Sequence, residues 1–66
     1  NNKKYIGTIQ KILVEGTSKN NEEMLTGRTD SNKVVIFEGN KELINQIINI
    51  KIISEHMWYL KGKTIL

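Results

Sequence analysis

Met24-Leu25-Thr26-Gly27-Arg28-Thr29-Asp30-Ser31-Asn32-Lys33-Val34-Val35-Ile36-Phe37-Glu38-Gly39 sets two runs of strand-forming residues around a polar cluster. Residues 24–29 read as one strand and residues 33–37 as the next. Asp30-Ser31-Asn32 is the turn between them, because Asp, Ser and Asn side chains hydrogen-bond their own backbone. So short a turn makes the two strands antiparallel neighbours. Gly27 inside the first strand predicts a bulge or the close approach of another backbone. Arg28 and Lys33 fall on either side of the turn. A guanidinium can fork onto a phosphate, and an ammonium adds a point charge beside it. The rival structural role for Arg28 is an exposed ion pair with Asp30 or Glu38.

Outward from this segment the chain stays β-like. Residues 5–15 carry Ile6, Ile12 and Val14 at even positions and Tyr5, Ile9 and Leu13 at odd ones, so both faces are partly apolar. A long strand that bends to serve two neighbours explains this, with Gly7 or a bulge allowing the bend. The β-branched content argues against a helix. Residues 16–23 are small and polar and form a loop. Gly39-Asn40 is a turn, and residues 41–46 have room for one or two helical turns. Ile48, Ile50 and Ile52 alternate with Asn49 and Lys51, the pattern of a half-buried strand. Ser54-Glu55-His56 is a short connection to a last strand over residues 57–63, with Trp58 and Leu60 on one face and Tyr59 and Lys61 on the other.

Five short strands, the first one bent, predict an all-β fold: a five-stranded OB-like Greek-key barrel, with an SH3-like barrel as the near alternative. Closure removes the sheet edges, which a chain without proline cannot guard in the usual way. The expected interior is Ile12 or Leu13, Val14, Val34, Ile36, Ile50, Ile52 and Leu60. Trp58 is expected there too, rather than as a platform, since so small a barrel needs a large residue to fill it.

Composition narrows the function classes. A chain of 66 residues makes one domain with a small core. It has no cysteine, which removes disulfides and thiolate metal sites and agrees with a cytoplasmic setting. Ten Lys and Arg against seven Asp and Glu give a net charge of +3, which permits an anionic partner without demanding one. No apolar run approaches the ~20 residues of a membrane span. Asn1 in place of methionine suggests a piece of a longer protein, with residues 1–4 as a linker remnant and residues 64–66 as a tail. His56 is the single histidine, and its sequence neighbours Ser54 and Glu55 do not converge on it along a strand end; it reads as an exposed turn residue. No metal-ligand cluster and no phosphate-cradling glycine loop is present.

The cations are more informative. Arg28, Lys33 and Lys61 fall on three expected strands, and Lys19 in the loop before the second. OB-type barrels bind nucleic acid across strands two and three, between the one–two and four–five loops. Single-strand binders add an aromatic on which a base stacks. Tyr59 shares its expected face with Lys61 and fits that part. Outward faces of small barrels are charged in any case, however, and Tyr59 equally fits a cover over an apolar edge.

The pattern L-T-G-R-T-x-x-N-K-V-V-x-F-E-G at residues 25–39 resembles the TRAM domain of tRNA methylthiotransferases. Leu13-Val14-Glu15-Gly16-Thr17-Ser18-Lys19 is similar to that domain's L-V-E-G-x-S-K, and Tyr5-Ile6-Gly7 to its opening Y-x-G. Ile50-Lys51-Ile52 is similar to its V-x-I strand, and Trp58-Tyr59-Leu60-Lys61-Gly62 to its closing W-x-L-x-G. These pieces run in order from Tyr5 to Gly62, and the MiaB-type branch is the nearest.

The resemblance implies a non-catalytic RNA-binding domain. It would position the tRNA anticodon stem-loop for methylthiolation by upstream radical-SAM domains that lie outside this chain. Those domains would carry 4Fe-4S clusters and S-adenosylmethionine; this chain would hold no cofactor or metal. The implied partners are the tRNA and the upstream domains, with no membrane, and the chain would be a monomer. On the geometry of the turn, Arg28 and Lys33 are the expected principal RNA contacts, with Lys19 and Lys61 secondary and Asn32 beside them. Tyr59 stands where the family frequently has a small hydroxyl residue, so its candidacy rests on its own chemistry. Asn45 stands where the family often has glycine, which predicts a differently built turn before strand four. A sister branch that modifies a ribosomal protein lacks N-K-V-V-x-F; the intact Asn32–Phe37 stretch favours tRNA. The other class of reading is a protein-docking module that packs on its parent enzyme.

Overall fold

Burial alternates along each strand of the computed structural model, which describes residues 5–18 and 23–65. Ile12 and Val14 are withdrawn from water in β1 (Ile9–Thr17) and Leu25, Gly27 and Thr29 in β2 (Met24–Thr29). Val35 and Phe37 follow in β3 (Val34–Glu38), Ile50 and Ile52 in β4 (Ile47–Glu55), and Leu60 and Gly62 in β5 (Leu60–Thr64). A period of two puts these residues on one side of a pleated sheet. That side is the interior of a closed barrel with strand order β1-β2-β3-β5-β4. Every pairing is antiparallel except β3 with β5. The all-β class and the five-stranded OB-like Greek-key barrel are thus as the sequence predicts.

β1 serves two neighbours. Ile9 to Leu13 pair with β4, and Ile12 to Thr17 pair with β2. Its register against β2 shifts between Val14 and Gly16. The bend is therefore made by a bulge around Glu15. Gly7, at φ 84, lies before the strand, which starts at Ile9 rather than Tyr5. Opposite the bulge, a Cβ on Gly27 would sit 2.5 Å from the Leu13 carbonyl oxygen, so the glycine marks a close backbone approach.

Phe37 is the largest side chain in the interior. Its position corrects the expected face of β3. Val34 and Ile36, expected in the interior, lie outside; Val35 and Phe37 are inside. Val-Val-Ile-Phe is apolar on both faces, so alternation alone carries no sign. The pairing decides it: Leu25 opposes Phe37, and the small Gly27 opposes Val35. Of Ile12 and Leu13, Ile12 is the interior residue.

Trp58 is the second correction. Phe37 fills the volume it was meant for, and Trp58 stands 84% exposed. The strand assignments explain why. β4 continues through Glu55, and the connection is the turn that follows, closed by the His56 N–H donating to the Tyr59 carbonyl at 2.9 Å. β5 starts at Leu60, so Trp58 never enters the pleat. Between β3 and β4, one turn of 3-10 helix, Lys41–Leu43, is capped by Asn40, whose Oδ1 accepts from the Glu42 N–H at 2.9 Å. Asn45 follows at φ 74 and donates its N–H to the Val14 carbonyl at 2.7 Å. The asparagine thus adopts the left-handed backbone that glycine favours.

Candidate nucleic-acid interface

Once Leu25, Gly27 and Thr29 face inward, Thr26 and Arg28 must face out. Arg28 pairs with Leu13 of β1 on one side and Val34 of β3 on the other. Thr26 pairs with Ile36, and Ile36 pairs with Lys61 of β5. The outer surface of β2 and β3 is therefore an apolar floor, Val34 and Ile36, edged by cations on the strands either side.

Arg28 stands at the centre of this surface. Its Nε lies 3.4 Å from Glu15 Oε1, and its Nη1 donates to Asn32 Oδ1 at 3.0 Å. The acid comes from the β1 bulge and not, as the sequence suggested, from Asp30 or Glu38. Both side chains of the pair are nearly half exposed, 47% and 44%, so it contributes only about 0–1 kcal/mol to stability. What it does is aim the guanidinium. Nη2 makes no hydrogen bond to a described residue. Two adjoining depressions share Arg28 as a wall. One, of about 380 Å³, is floored by Val34 and Ile36 and edged by Glu15 and Ser18. The other, of about 250 Å³, is lined by Lys11, Leu13, Glu15, Asp30, Asn32 and Ile47.

The turn that holds Asn32 is tightly bonded. The Asn32 N–H donates to the Thr29 carbonyl at 2.9 Å, and the Thr29 N–H donates to the Lys33 carbonyl at 3.0 Å. Thr29 Oγ1 accepts from the Lys33 N–H at 3.2 Å and lies 3.1 Å from Ser31 Oγ. Asn32 sits at φ 67, a conformation asparagine tolerates better than most residues. Lys33 is half-buried and belongs to this turn, since β3 starts at Val34.

Tyr59 lies just before β5. Val35 opposes Leu60 in the parallel β3–β5 pair, so Tyr59 lies at the barrel end from which β3 and β5 start. Its ring stacks on His56 with centroids 4.6 Å apart and planes at 17°, so one of its faces is already covered. Lys61 is exposed and forms no ion pair with a described residue. The structure brings Arg28, Asn32, Lys33, Tyr59 and Lys61 onto or beside three adjacent strands. Lys19 lies outside the described residues. Sequence reasoning missed Glu15 as the group that orients Arg28; the signal was Glu15-Gly16 after an alternating stretch, a bulge signature.

A closed Greek-key barrel with a cation-edged outer groove on β2 and β3 has the architecture on which OB-type domains bind oligonucleotides. A TRAM domain model matches residues 3–65, and the chain belongs to the TRAM domain family. It is 53% identical over 62 residues to a tRNA-2-methylthio-N(6)-dimethylallyladenosine synthase of Natranaerobius thermophilus, covering 94% of this chain and 14% of that protein. The synthase of the same description from Fusobacterium nucleatum subsp. nucleatum is 52% identical over 62 residues, again 94% and 14%. That of Bacillus mycoides is 48% identical over 64 residues, covering 97% of this chain and 13% of the relative. The chain thus spans about a seventh of the length of these relatives. No helix among the described residues is long and apolar enough to cross a membrane.

Proposed function

We propose that this chain is the tRNA-binding domain of a MiaB-type methylthiotransferase and that its β2–β3 face receives the anticodon stem-loop. One observation supports this most: Arg28 is held by Glu15 and Asn32 on the border of two depressions, with Nη2 unbonded among the described residues. A guanidinium held in this way is suited to bidentate contact with a phosphate. Val34 and Ile36 offer an apolar floor for the faces of sugars or bases. Lys33 and Lys61 add charge at the edges, Asn32 positions the arginine, and Lys19 and Tyr59 complete the candidate set.

The rest of the reading follows from the relatives' greater length. The methylthiolation chemistry, the 4Fe-4S clusters and S-adenosylmethionine would belong to other domains of a longer enzyme, working in the cytoplasm where its tRNA is found. This chain has no cysteine, so its own residues do not fit a cluster. Leu13 and Ile47 are paired neighbours on the outer face and are 46% and 66% exposed. With Arg28 they line the second depression, so this apolar pair extends the proposed RNA face toward β4.

The test is titration of an anticodon stem-loop RNA with the chain and its variants. Arg28→Ala should weaken binding about 10- to 100-fold, the worth of a charge-assisted hydrogen bond. Arg28→Lys should also lose affinity although charge is kept, while Lys33→Arg should be nearly neutral. Far-UV circular dichroism checks that each variant stays folded. Unchanged binding by both Arg28→Ala and Lys33→Ala would place the RNA face elsewhere.

A further inference from the structure

Trp58 is the single tryptophan of the chain, and 84% of it is exposed at the tip of the β4–β5 turn. A large indole left in water gives up the burial that makes tryptophan valuable to a small core. The turn beneath it is braced. The His56 N–H donates to the Tyr59 carbonyl at 2.9 Å, Ser54 Oγ lies 3.1 Å from His56 Nε2, and the His56 and Tyr59 rings stack. The indole is therefore carried on a pre-formed mount.

The register fixes where that mount stands. β3 and β5 run parallel with Val35 opposite Leu60. β3 and β5 therefore begin at the same barrel end, and the β4–β5 turn that carries Trp58 lies at the end where the β2–β3 turn holds Asn32 and Lys33. The cations of this end and the face beside it are Arg28, already paired with Glu15, and Lys33 and Lys61. The acids of this end are Asp30, in the β2–β3 turn, and Glu55, half-buried opposite Leu60. Met57 is the other exposed large apolar side chain of the turn. An apolar protein partner would meet only these two apolar residues, set among charged groups of both signs. An unpaired nucleotide meets a flat face for its base and a cation for its phosphate.

We propose that Trp58 is a stacking platform for an unpaired base of the RNA whose backbone passes over Arg28 and Lys33. This rests on the RNA-binding reading above and adds a chemical preference to it: single-stranded loop rather than duplex.

Because no other tryptophan is present, indole fluorescence reports this residue alone. The experiment titrates the chain with a hairpin carrying an anticodon-type unpaired loop and with a fully paired duplex of equal charge. Fluorescence and the anisotropy of labelled RNA are followed together. Loop RNA should quench the indole as it binds, and the duplex should not. Trp58→Ala should lower affinity for loop RNA about 5- to 150-fold, the range for losing one base–aromatic stack. Trp58→Phe should keep much of the affinity, and neither variant should affect the duplex. Binding of loop RNA without quenching, or with equal affinity by Trp58→Ala, overturns the proposal. If Arg28→Ala then still weakens binding, the broader RNA reading stands and only the platform falls. If the parent chain binds neither RNA, both fall. Should Trp58→Ala keep its RNA affinity but associate less with the full-length enzyme's other domains, Trp58 is a protein contact and the proposal is wrong.

Discussion

Asn32 holds two features of the face at once. Its backbone sits at φ 67, and its Oδ1 accepts from Arg28. The two are separable. Asn32→Gly keeps the left-handed turn and releases the arginine, so it should fold normally and bind RNA a few-fold more weakly. Asn32→Ala releases the arginine too but keeps a Cβ in the left-handed region, so it should be about 1–2 kcal/mol less stable than Asn32→Gly. Thermal denaturation of both variants, with RNA titration of each, checks the pair; equal melting temperatures would deny the turn its backbone role. At this scale the sequence was uneven. The placement of Arg28 beside the β2–β3 turn and of Asn32 within it was legible, because the chemistry of that turn is local. Trp58 was not. Trp-Tyr-Leu-Lys alternates as a strand does, yet the pleat begins only at Leu60, and nothing local to residues 57–59 marks that start.

β4 and β5 carry an unusual cross-strand pair: Lys51 faces Lys63 directly, and neither forms an ion pair with a described residue. Like charges directly opposed destabilise a sheet by a few tenths to 1 kcal/mol. Lys51→Glu turns the repulsion into attraction and should raise the melting temperature by several degrees, since about 1 kcal/mol is worth 4–8 °C in a domain this small. Raising the salt should narrow the gap between variant and parent, because both side chains are exposed and screened. A gap indifferent to salt would mean that Lys51 acts through packing. The strands themselves show what local pattern reveals. β2 lies where its apolar run and following turn put it, and Ile50 and Ile52 face inward as their alternation demands. The face of β3 was hidden, because Val-Val-Ile-Phe is apolar throughout and its inward side is chosen by Leu25 and Gly27 on another strand.

Across the whole molecule the charges act together. If three or four cations of the β2–β3–β5 face meet phosphates, tenfold more salt should lower RNA affinity about 10²- to 10³-fold. A plot of log affinity against log salt measures this, and a flat line would point to apolar docking. The barrel class could be read from the number and spacing of strands. The ring order could not, because the contact of β3 with β5 joins segments separated by all of β4, and no local signal encodes it. That contact also has a bearing on synthesis. A ribosome delivers β1 to β4 before the strand that fits between β3 and β4 in the ring. Until Leu60–Thr64 emerges, the nascent chain has two bare sheet edges and an interior open to water. Translation paused just ahead of Leu60 would hold it in that state, a target for chaperones and for pairing with a neighbouring copy.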